Sequence, residues 1–225
     1  MSDDEIDEEE KVLKLVLVGD GASGKTSICQ RFAKETFDKA YHQTLGLDFF
    51  SRRLILPNDV QVLVQVWDIG GQSIAGEMVD KYVNGANIVI MVYDVTNMKS
   101  FDNIQDWLSL VRRVTGGETK PPTMVLLGNK TDLEEKRVVS VEAHNTFCTQ
   151  NELTPAYVSA KSGDTVLLVF RQAVADELKI ALSKADVEAD IAIVQGTVTD
   201  ISKGDLTPAV RKSNQSRNTA VCTIS

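Results

Sequence analysis

The stretch “VLKLVLVGDGASGKT”, Val12–Thr26, decides the fold of this chain. An apolar run that is typical of a buried strand leads into a glycine-rich turn, and a helical pattern follows. The turn itself, “GDGASGKT” at Gly19–Thr26, fits the phosphate-binding pattern G-x-x-x-x-G-K-[ST]. Backbone N–H groups of such a turn, with the N-terminus of the next helix, can surround a β-phosphate. The alternative, a glycine-rich turn with a surface lysine, is disfavoured because a strand and a helix flank the turn in the required order.

The residue types in this loop match the chemistry of a nucleoside triphosphate. Lys25 supplies positive charge to the β- and γ-phosphates, which gives it a catalytic as well as a binding role. The Thr26 hydroxyl can bind Mg²⁺. The residues that we expect to contact the phosphates are Gly21, Ala22, Ser23, Gly24, Lys25, Thr26 and Ser27.

Short apolar runs alternate with helical patterns along the chain. Near-continuous apolarity predicts buried parallel strands at Val12–Val18, Ala86–Asp94, Thr123–Asn129 and Ala156–Ala160. The runs “FFSRRLIL” and “VQVLVQVW”, joined at Pro57-Asn58-Asp59, predict a hairpin that adds one antiparallel strand. Apolar residues at helical spacing predict helices around Phe101–Val111 and Val166–Leu178. We therefore expect an α/β fold: a doubly wound, six-stranded, mostly parallel sheet with helices on both faces and ligands at the carboxyl ends of the strands.

Charge and cysteine usage limit the classes of function. The formal net charge is −8, and seven acidic side chains fall within Met1–Glu10, which leaves −1 for the other residues. A near-neutral globular part argues against nucleic acid as a general partner. The three cysteines lie far apart without a C-x-x-C pair, which argues against a disulfide framework or zinc site and indicates a reducing cytosol. The longest apolar run, “IVIMVY”, is too short to span a bilayer.

The chain divides into three parts by composition and periodicity. We expect residues 1–10 to be an acidic, disordered leader, although a binding arm is the alternative. Residues 11–182 form the predicted folded domain. Residues 183–225 lack a periodic pattern and are predicted to be a flexible tail.

The segment “GNKTD”, Gly128–Asp132, follows a predicted strand and indicates which base is bound. A carboxylate at Asp132 can accept from guanine N1–H and N2–H₂ together, whereas adenine turns an acceptor toward it. In “SAK”, Ser159–Lys161, the Ala160 N–H could donate to guanine O6. Either segment alone could be an ordinary polar turn, but their order and their positions at strand ends favour guanine. The residues expected around the base are Asn129, Lys130, Asp132, Ser159, Ala160 and Lys161.

These motifs resemble the Ras superfamily of small GTPases over Lys11–Leu182, and “TLGLDF” and “MVYDVTNMKSFDN” resemble its Rab family. The resemblance implies a P-loop small G domain that binds GTP and GDP with Mg²⁺ and hydrolyses GTP. It also implies that Phe37 covers the guanine edge and that Thr44 binds Mg²⁺ and the γ-phosphate. Asp68 would act on Mg²⁺ through water. From the residues alone, Phe37 could equally be a core aromatic and Thr44 an ordinary loop hydroxyl.

The stretch “WDIGGQSIAG”, Trp67–Gly76, contains three glycines just after a β-rich run. The Gly71 N–H can contact a γ-phosphate only where no side chain obstructs it. Gln72 can orient the attacking water and is the second predicted catalytic residue. When the γ-phosphate leaves, these contacts vanish, and the segment is predicted to relax.

This stretch departs from the usual Rab sequence, W-D-T-A-G-Q-E. Ile69, Gly70 and Ser73 stand at the three differing positions, and we expect the difference to affect which effectors bind rather than the nucleotide chemistry. Gly21 leaves room for a catalytic arginine from a partner, and no arginine of this chain is recognisably placed to act in its stead. We therefore expect slow hydrolysis without an activating protein.

The last four residues of the sequence, “CTIS”, fit the prenylation pattern C-a-a-X, in which Ser225 favours a farnesyl group on Cys222. A single lipid gives marginal anchoring, so we expect reversible attachment to the cytoplasmic face of membranes and a prenyl-binding chaperone in the cytosol. The resemblance also points to the base of the cilium.

The function that these features favour is a monomeric, prenylated GTP/GDP switch in membrane traffic. Its GTP state would bind effectors through Thr36–Leu47 and Ile69–Val79, and an exchange factor and an activating protein would regulate it. A non-hydrolysing GTP-dependent scaffold is the alternative, because the glycine-rich stretch is altered. A P-loop kinase or ATPase is disfavoured by Asn129–Asp132 and by the lack of an evident acceptor-substrate domain.

Overall fold

Six strands form one sheet in the computed structural model, which describes residues 10–38, 40, 42–71 and 77–190. The strands are β1 (Lys11–Val18), β2 (Leu47–Leu56), β3 (Val60–Ile69), β4 (Ile88–Asp94), β5 (Thr123–Asn129) and β6 (Thr154–Tyr157). The helices are α1 (Lys25–Lys34), α2 (Glu77–Val83), α3 (Met98–Asp102), α4 (Ile104–Thr115), α5 (Val141–Asn151) and α6 (Val166–Leu178). The strand order is β2-β3-β1-β4-β5-β6, and only the β2–β3 pair is antiparallel. The predicted mostly parallel α/β sheet is confirmed.

Strand β1 lies between β3 and β4, and alternate side chains supply two hydrophobic cores. Leu15 and Leu17 belong to the core that α1 and α6 cover, where Phe32 stacks on Phe170 with ring centroids 4.1 Å apart. Val16 and Val18 belong to the core that α2, α4 and α5 cover on the opposite face. Because side chains alternate along a strand, a strand between two helical layers must be apolar at nearly every position. Helices therefore cover both faces, as predicted.

The β2–β3 hairpin turns at the predicted Pro57-Asn58-Asp59 segment. Pro57 opens a short 3-10 turn, in which Asn58 has φ 63° and Asp59 has φ 57°. Asn and Asp tolerate this left-handed region better than most residues, and proline favours the start of a turn. The strands extend to Leu47 and Ile69, beyond the predicted ends, because the ladder pairs these two residues with each other.

Other element boundaries also differ from the sequence expectation: β1 begins at Lys11 instead of Val12, β4 at Ile88 instead of Ala86, and β6 at Thr154 instead of Ala156. Strand β6 ends at Tyr157 instead of continuing to Ala160. Val158 and Ala160 are buried in the core that α1 and α6 cover, so their apolarity reflects burial without strand pairing. The helical pattern around Phe101–Val111 is divided between α3 and α4. Asn103 lies between the two helices, and its side-chain amide donates to the Asp20 carboxylate.

The predicted boundaries of the folded domain remain predictions, and the structure adds contacts at both. Glu10 pairs with Arg53 on β2 at the exposed surface. Residues 184–190 are helical, and the buried Asp190 carboxylate forms an ion pair with Arg171 of α6. The first residues of the predicted tail therefore contact the domain. In the part of the chain that the structure describes, no helix combines the length and apolarity needed to cross a membrane.

Candidate nucleotide-binding site

A cavity of about 330 Å³ opens at the carboxyl ends of the parallel strands. The predicted contacts that line it are Gly21, Ala22, Gly24, Lys25, Thr26, Ser27, Phe37, Thr44, Gly71, Asn129, Lys130, Asp132, Ala160 and Lys161. Ser23 and Ser159 are fully buried and do not line it, but each hydrogen-bonds to a lining residue. The fold thus brings together five segments that lie apart in the sequence. Strand ends in a doubly wound sheet are the expected position for such a cavity.

The Lys25 side chain hydrogen-bonds to backbone carbonyl groups of the phosphate loop. The buried Lys25 Nζ donates to the carbonyl oxygens of Gly19 at 2.7 Å and Asp20 at 2.9 Å. Burial lowers the pKa of Lys25, while the charges of Asp68 and Asp20 oppose that shift. Gly24 has φ +92°, and an added Cβ would lie against the Asn129 side-chain amide. A glycine is required there because both the backbone angle and the contact exclude a side chain.

Helix α1 starts directly after this loop, with Lys25 as its first residue. No acidic residue occupies its first turn, so the partial positive charge of the helix N-terminus is not neutralised locally. The unpaired N–H groups of the first turn and the Lys25 ammonium therefore favour an anion in the cavity.

Three oxygen-bearing side chains from separate segments meet beside Lys25. The Thr26 hydroxyl lies 2.8 Å from the Thr44 hydroxyl and donates to Asp68 Oδ2. Asp68 is fully buried, and its Oδ1 has no hydrogen-bond partner within the described residues. Burial raises the pKa of Asp68 to about 6, although the Thr26 hydroxyl and the Lys25 charge oppose that shift. Hydroxyl and carboxylate oxygens are ligands that Mg²⁺ prefers, and the unpartnered oxygen supplies a free acceptor, so these residues fit the ion.

The predicted base site is a set of mutually supporting polar contacts. The Asn129 amide donates to the Ser23 carbonyl at 2.8 Å and links the base segment to the phosphate loop. Asp132 Oδ1 accepts from the Ser159 hydroxyl at 2.8 Å, and Lys161 Nζ lies 3.4 Å from Oδ2. The Ala160 N–H, predicted to meet guanine O6, donates to Asn129 Oδ1 at 3.2 Å in this conformation. That N–H therefore has an acceptor within the protein.

Lys130 and Phe37 form apolar sides of the cavity. Lys130 has φ 70°. Its ammonium group forms an ion pair with Asp94 at 2.6 Å, so the aliphatic part of its side chain lies along the cavity. Phe37 is half-buried, lines the cavity and packs against the core that contains Phe32. Both interpretations of Phe37 from the sequence are therefore compatible with its position.

Gly70 and Gly71, the two glycines of “WDIGGQSIAG” that the structure describes, are explained by close backbone contacts. The Gly70 N–H donates to the Gly46 carbonyl at 2.9 Å, and a Cβ at Gly70 would lie against the Thr44 carbonyl. A Cβ at Gly71 would overlap the backbone of Asp20 and Gly21. Gly71 is therefore needed where the chain approaches the phosphate loop, and Gly70 is needed where it passes Thr44 and Gly46. Gln72, the predicted catalytic glutamine, lies outside the described residues, as does Cys222.

Two features of the site region were missed from the sequence. The Asp20 carboxylate, inside the phosphate loop, accepts hydrogen bonds from Asn103 and Trp107 of a distant segment. No sequence pattern signals this contact. Phe49 of the edge strand β2 is 54% exposed and lies edge-on to Trp67, with ring centroids 5.8 Å apart. A large aromatic residue on an edge strand is the sequence signal that could have indicated this exposed side chain.

Comparison with known proteins agrees with this geometry. The family model described as “Ras family” matches residues 14–179. The chain is also 67% identical over 218 residues to “Ras-related protein Rab-28” of Caenorhabditis elegans, which covers 97% of this chain and 88% of that protein. The motifs themselves suggest Rab-28 as a similar Rab, so the expected family resemblance is confirmed. The chain belongs to the Ras family of small GTPases and, within it, to the Rab family of GTP-binding switches that hydrolyse GTP.

Proposed function

We propose that the chain hydrolyses GTP slowly by itself, with Mg²⁺, and regulates membrane traffic through effectors that recognise its GTP state. The observation that carries this proposal is the meeting of Thr26, Thr44 and Asp68 beside Lys25. These residues come from the phosphate loop and from the two segments whose conformation would report the γ-phosphate. A ligand at this point can therefore control both segments.

In this mechanism the protein acts mainly by positioning groups around the phosphates. Lys25 and the loop N–H groups hold the β- and γ-phosphates, and the Gly71 N–H approaches the γ-phosphate where no side chain intervenes. Bound Mg²⁺ would be held by Thr26 and Thr44, with Asp68 acting through water, and would neutralise charge on the phosphates. Gln72 orients the attacking water.

The open space beside Gly21 supports the proposed need for an activating protein. A Cβ at Gly21 would meet nothing within 4 Å, which leaves space for a partner's arginine. Arg31, on α1, donates instead to the carbonyl oxygens of Glu35, Ala160 and Lys161. These three carbonyl groups engage the Arg31 guanidinium, and we propose that an activating protein supplies the arginine that stabilises the transition state.

The proposed effector surface comprises Thr36–Leu47 and Ile69–Val79, together with Phe49. Leu45 is 84% exposed and Met78 is 51% exposed, and both lie within these segments. Large exposed apolar side chains on segments that contact the phosphate loop favour a partner that reads the nucleotide state.

We also propose that Cys222 of “CTIS” carries a single farnesyl group. The basic residues Arg211, Lys212 and Arg217 precede it, and Leu206–Ser225 contains no acidic side chain. One lipid with three cationic residues favours reversible residence on anionic membranes, with a prenyl-binding chaperone in the cytosol. Residence at the base of the cilium remains a proposal from the sequence resemblance.

Single-turnover hydrolysis of bound GTP tests the proposed catalytic role. Gln72→Leu should slow hydrolysis at least tenfold without changing GTP affinity, because it removes water alignment and no ground-state phosphate contact. Gln105→Leu, on the exposed side of α4, is the matched control. Wild-type rates for Gln72→Leu, alone and with an activating protein, would contradict the mechanism. A wild-type protein that never hydrolyses GTP would favour the scaffold alternative.

An affinity experiment tests the switch separately. GTP-loaded protein should retain binding proteins that GDP-loaded protein releases, and Phe49→Ala should lose them. Val141→Ala, an exposed apolar change on α5, should retain them. Equal capture by both nucleotide states would contradict an effector surface that depends on GTP.

A further inference from the structure

Asp20 lies inside the phosphate loop, yet its carboxylate binds to another part of the domain. Its Oδ2 accepts from the Asn103 side-chain amide at 2.6 Å, and its Oδ1 accepts from the Trp107 indole N–H at 3.1 Å. Both carboxylate oxygens therefore have donors from a segment more than eighty residues away. Hydrogen bonds to a charged group are stronger than neutral ones, so this contact fixes where the loop can lie.

The two donors are themselves held firmly. Trp107 is fully buried in the core covered by α4. Asn103 joins α3 to α4: its N–H donates to the Lys99 carbonyl at 3.0 Å, and its carbonyl accepts from Asp106 at 3.1 Å. Both donors to the Asp20 carboxylate therefore belong to residues that are fixed at the start of α4.

The backbone of the same residue carries the contacts that matter for the nucleotide. The Asp20 carbonyl accepts from Lys25 Nζ at 2.9 Å and from the Ser23 hydroxyl at 2.9 Å. Gly71 also packs against the Asp20 backbone, since an added Cβ there would overlap it. A movement of Asp20 would displace an acceptor of the phosphate-binding lysine and the surface on which Gly71 rests.

We propose that Asp20 is a positioning residue: its carboxylate, held by Asn103 and Trp107, sets the geometry of the phosphate loop and thereby slows nucleotide release. Asp20 is not among the residues that line the cavity, and it acts through Lys25 and the loop backbone. The start of α4 becomes part of the nucleotide site through this contact. A position outside every nucleotide motif, Asn103, therefore influences affinity.

Exchanging the carboxylate of Asp20 and the amide of Asn103 tests the positioning role directly. Asp20→Asn places two amides opposite each other, and Asn103→Asp places two carboxylates opposite each other. Each single variant should release bound GDP about tenfold faster, which is the effect expected for loss of a charged hydrogen bond. The double variant restores one amide and one carboxylate and leaves an acceptor for the Trp107 N–H. It should return the GDP release rate to within about twofold of wild type.

Two further variants separate positioning from general folding. Trp107→Phe removes the indole N–H but keeps an aromatic ring in the core, and it should speed GDP release by a smaller factor, about threefold. Asn151→Asp, at the end of α5, changes an amide that donates to the Phe147 carbonyl and should leave release unchanged. Thermal melting of each GDP-loaded variant, measured beside the release rate, reports folding.

The GDP release rates of these variants either support or overturn the positioning role. Rapid release in the single variants, with recovery in the double variant, supports the positioning role. Release rates that match wild type in all folded variants would overturn it. Additive losses in the double variant would also overturn it, because a general structural role predicts no recovery.

Discussion

The Ser159 hydroxyl donates to Asp132 Oδ1 at 2.8 Å, although twenty-seven residues separate the two positions. Lys161 lies 3.4 Å from the other carboxylate oxygen, so the segment 159–161 fixes the carboxylate from one side. The Asp132 side chain is only 19% exposed and borders the cavity. A carboxylate held in this way presents a preformed acceptor pair to a base.

Asp132→Asn should therefore change base preference. The new amide keeps one acceptor and adds a donor, so GTP affinity should fall by about 100-fold or more while XTP affinity rises. Competition binding with GTP, XTP and ATP measures the change. Asp164→Asn is a matched control, since Asp164 also accepts from a serine hydroxyl but lies outside the cavity lining. Equal displacement of bound GTP by ATP in the wild-type protein would refute guanine selectivity.

Gly71→Ala should impair hydrolysis more than folding. The added methyl group would overlap the backbone of Asp20 and Gly21, which forces residues 70–71 away from the phosphate loop. We expect single-turnover hydrolysis to slow at least about tenfold, because misplaced catalytic groups lose most of their effect. Gly117→Ala is the control, since a Cβ there meets nothing within 4 Å. Hydrolysis at the wild-type rate in Gly71→Ala would show that the close approach is dispensable.

Thr26→Asn should bias the protein toward GDP or the empty state. The change removes the hydroxyl that lies 2.8 Å from Thr44 and donates to Asp68. Mg²⁺-dependent GTP affinity should fall more than GDP affinity, because the proposed contact of Thr44 with Mg²⁺ and the γ-phosphate is available only to GTP. The ratio of the two dissociation constants, with and without Mg²⁺, measures this effect. Thr149→Asn, on exposed α5, should leave the ratio unchanged, and an unchanged ratio in Thr26→Asn would contradict the assigned metal role.

His144 should make the fold sensitive to mild acid. The ring is buried, and its Nδ1 lies 2.9 Å from the Tyr93 hydroxyl. Burial, with a smaller effect of the Arg137 charge, lowers the pKa of His144 from 6.5 to about 4. Between these values the unfolded chain binds more protons than the folded one, so the free energy of unfolding should decrease as pH falls from about 6.5 to about 4. We expect a loss of about 1–2 kcal/mol after allowance for partial solvent screening.

Urea unfolding of GDP-loaded protein across that pH range measures the loss. His144→Asn should reduce the acid-dependent part even if it lowers stability at pH 7. His42→Asn, which removes the other histidine of the chain, is compared at saturating GDP because His42 lines the nucleotide cavity. If His144→Asn retained the full wild-type pH dependence, another group would be responsible.

Cys222→Ser should abolish membrane association. A single prenyl chain contributes about 0.8 kcal/mol per buried CH₂, and each nearby basic residue adds about 1 kcal/mol at an anionic surface. Without the lipid, the three basic residues alone should not retain the protein on membranes at physiological salt. Fractionation of eukaryotic cells, with intact-mass measurement of the wild-type protein, tests this. An unmodified wild-type chain, together with unchanged partitioning of the variant, would contradict the lipid assignment.

Local sequence was sufficient for the features that depend on short-range geometry. The span Thr123–Asn129 of β5 and the turn at Pro57-Asn58-Asp59 were predicted correctly, because burial on two faces and turn chemistry leave local patterns. The phosphate-loop motif was equally recognisable in the sequence, since it requires one strand, one tight turn and one helix in immediate succession. These signals were enough to predict the fold and the family.

Only the tertiary structure decided which distant groups meet. Nothing in the sequence pairs Asp20 with Asn103, or shows that Gly71 rests on the loop backbone, because these contacts depend on how helices pack on the sheet. The end of β6 at Tyr157 was likewise missed, since burial in a core and pairing in a strand leave the same apolar pattern. Periodicity reports which side of an element is buried, whereas the partner across the interface is set by the three-dimensional register of the whole domain.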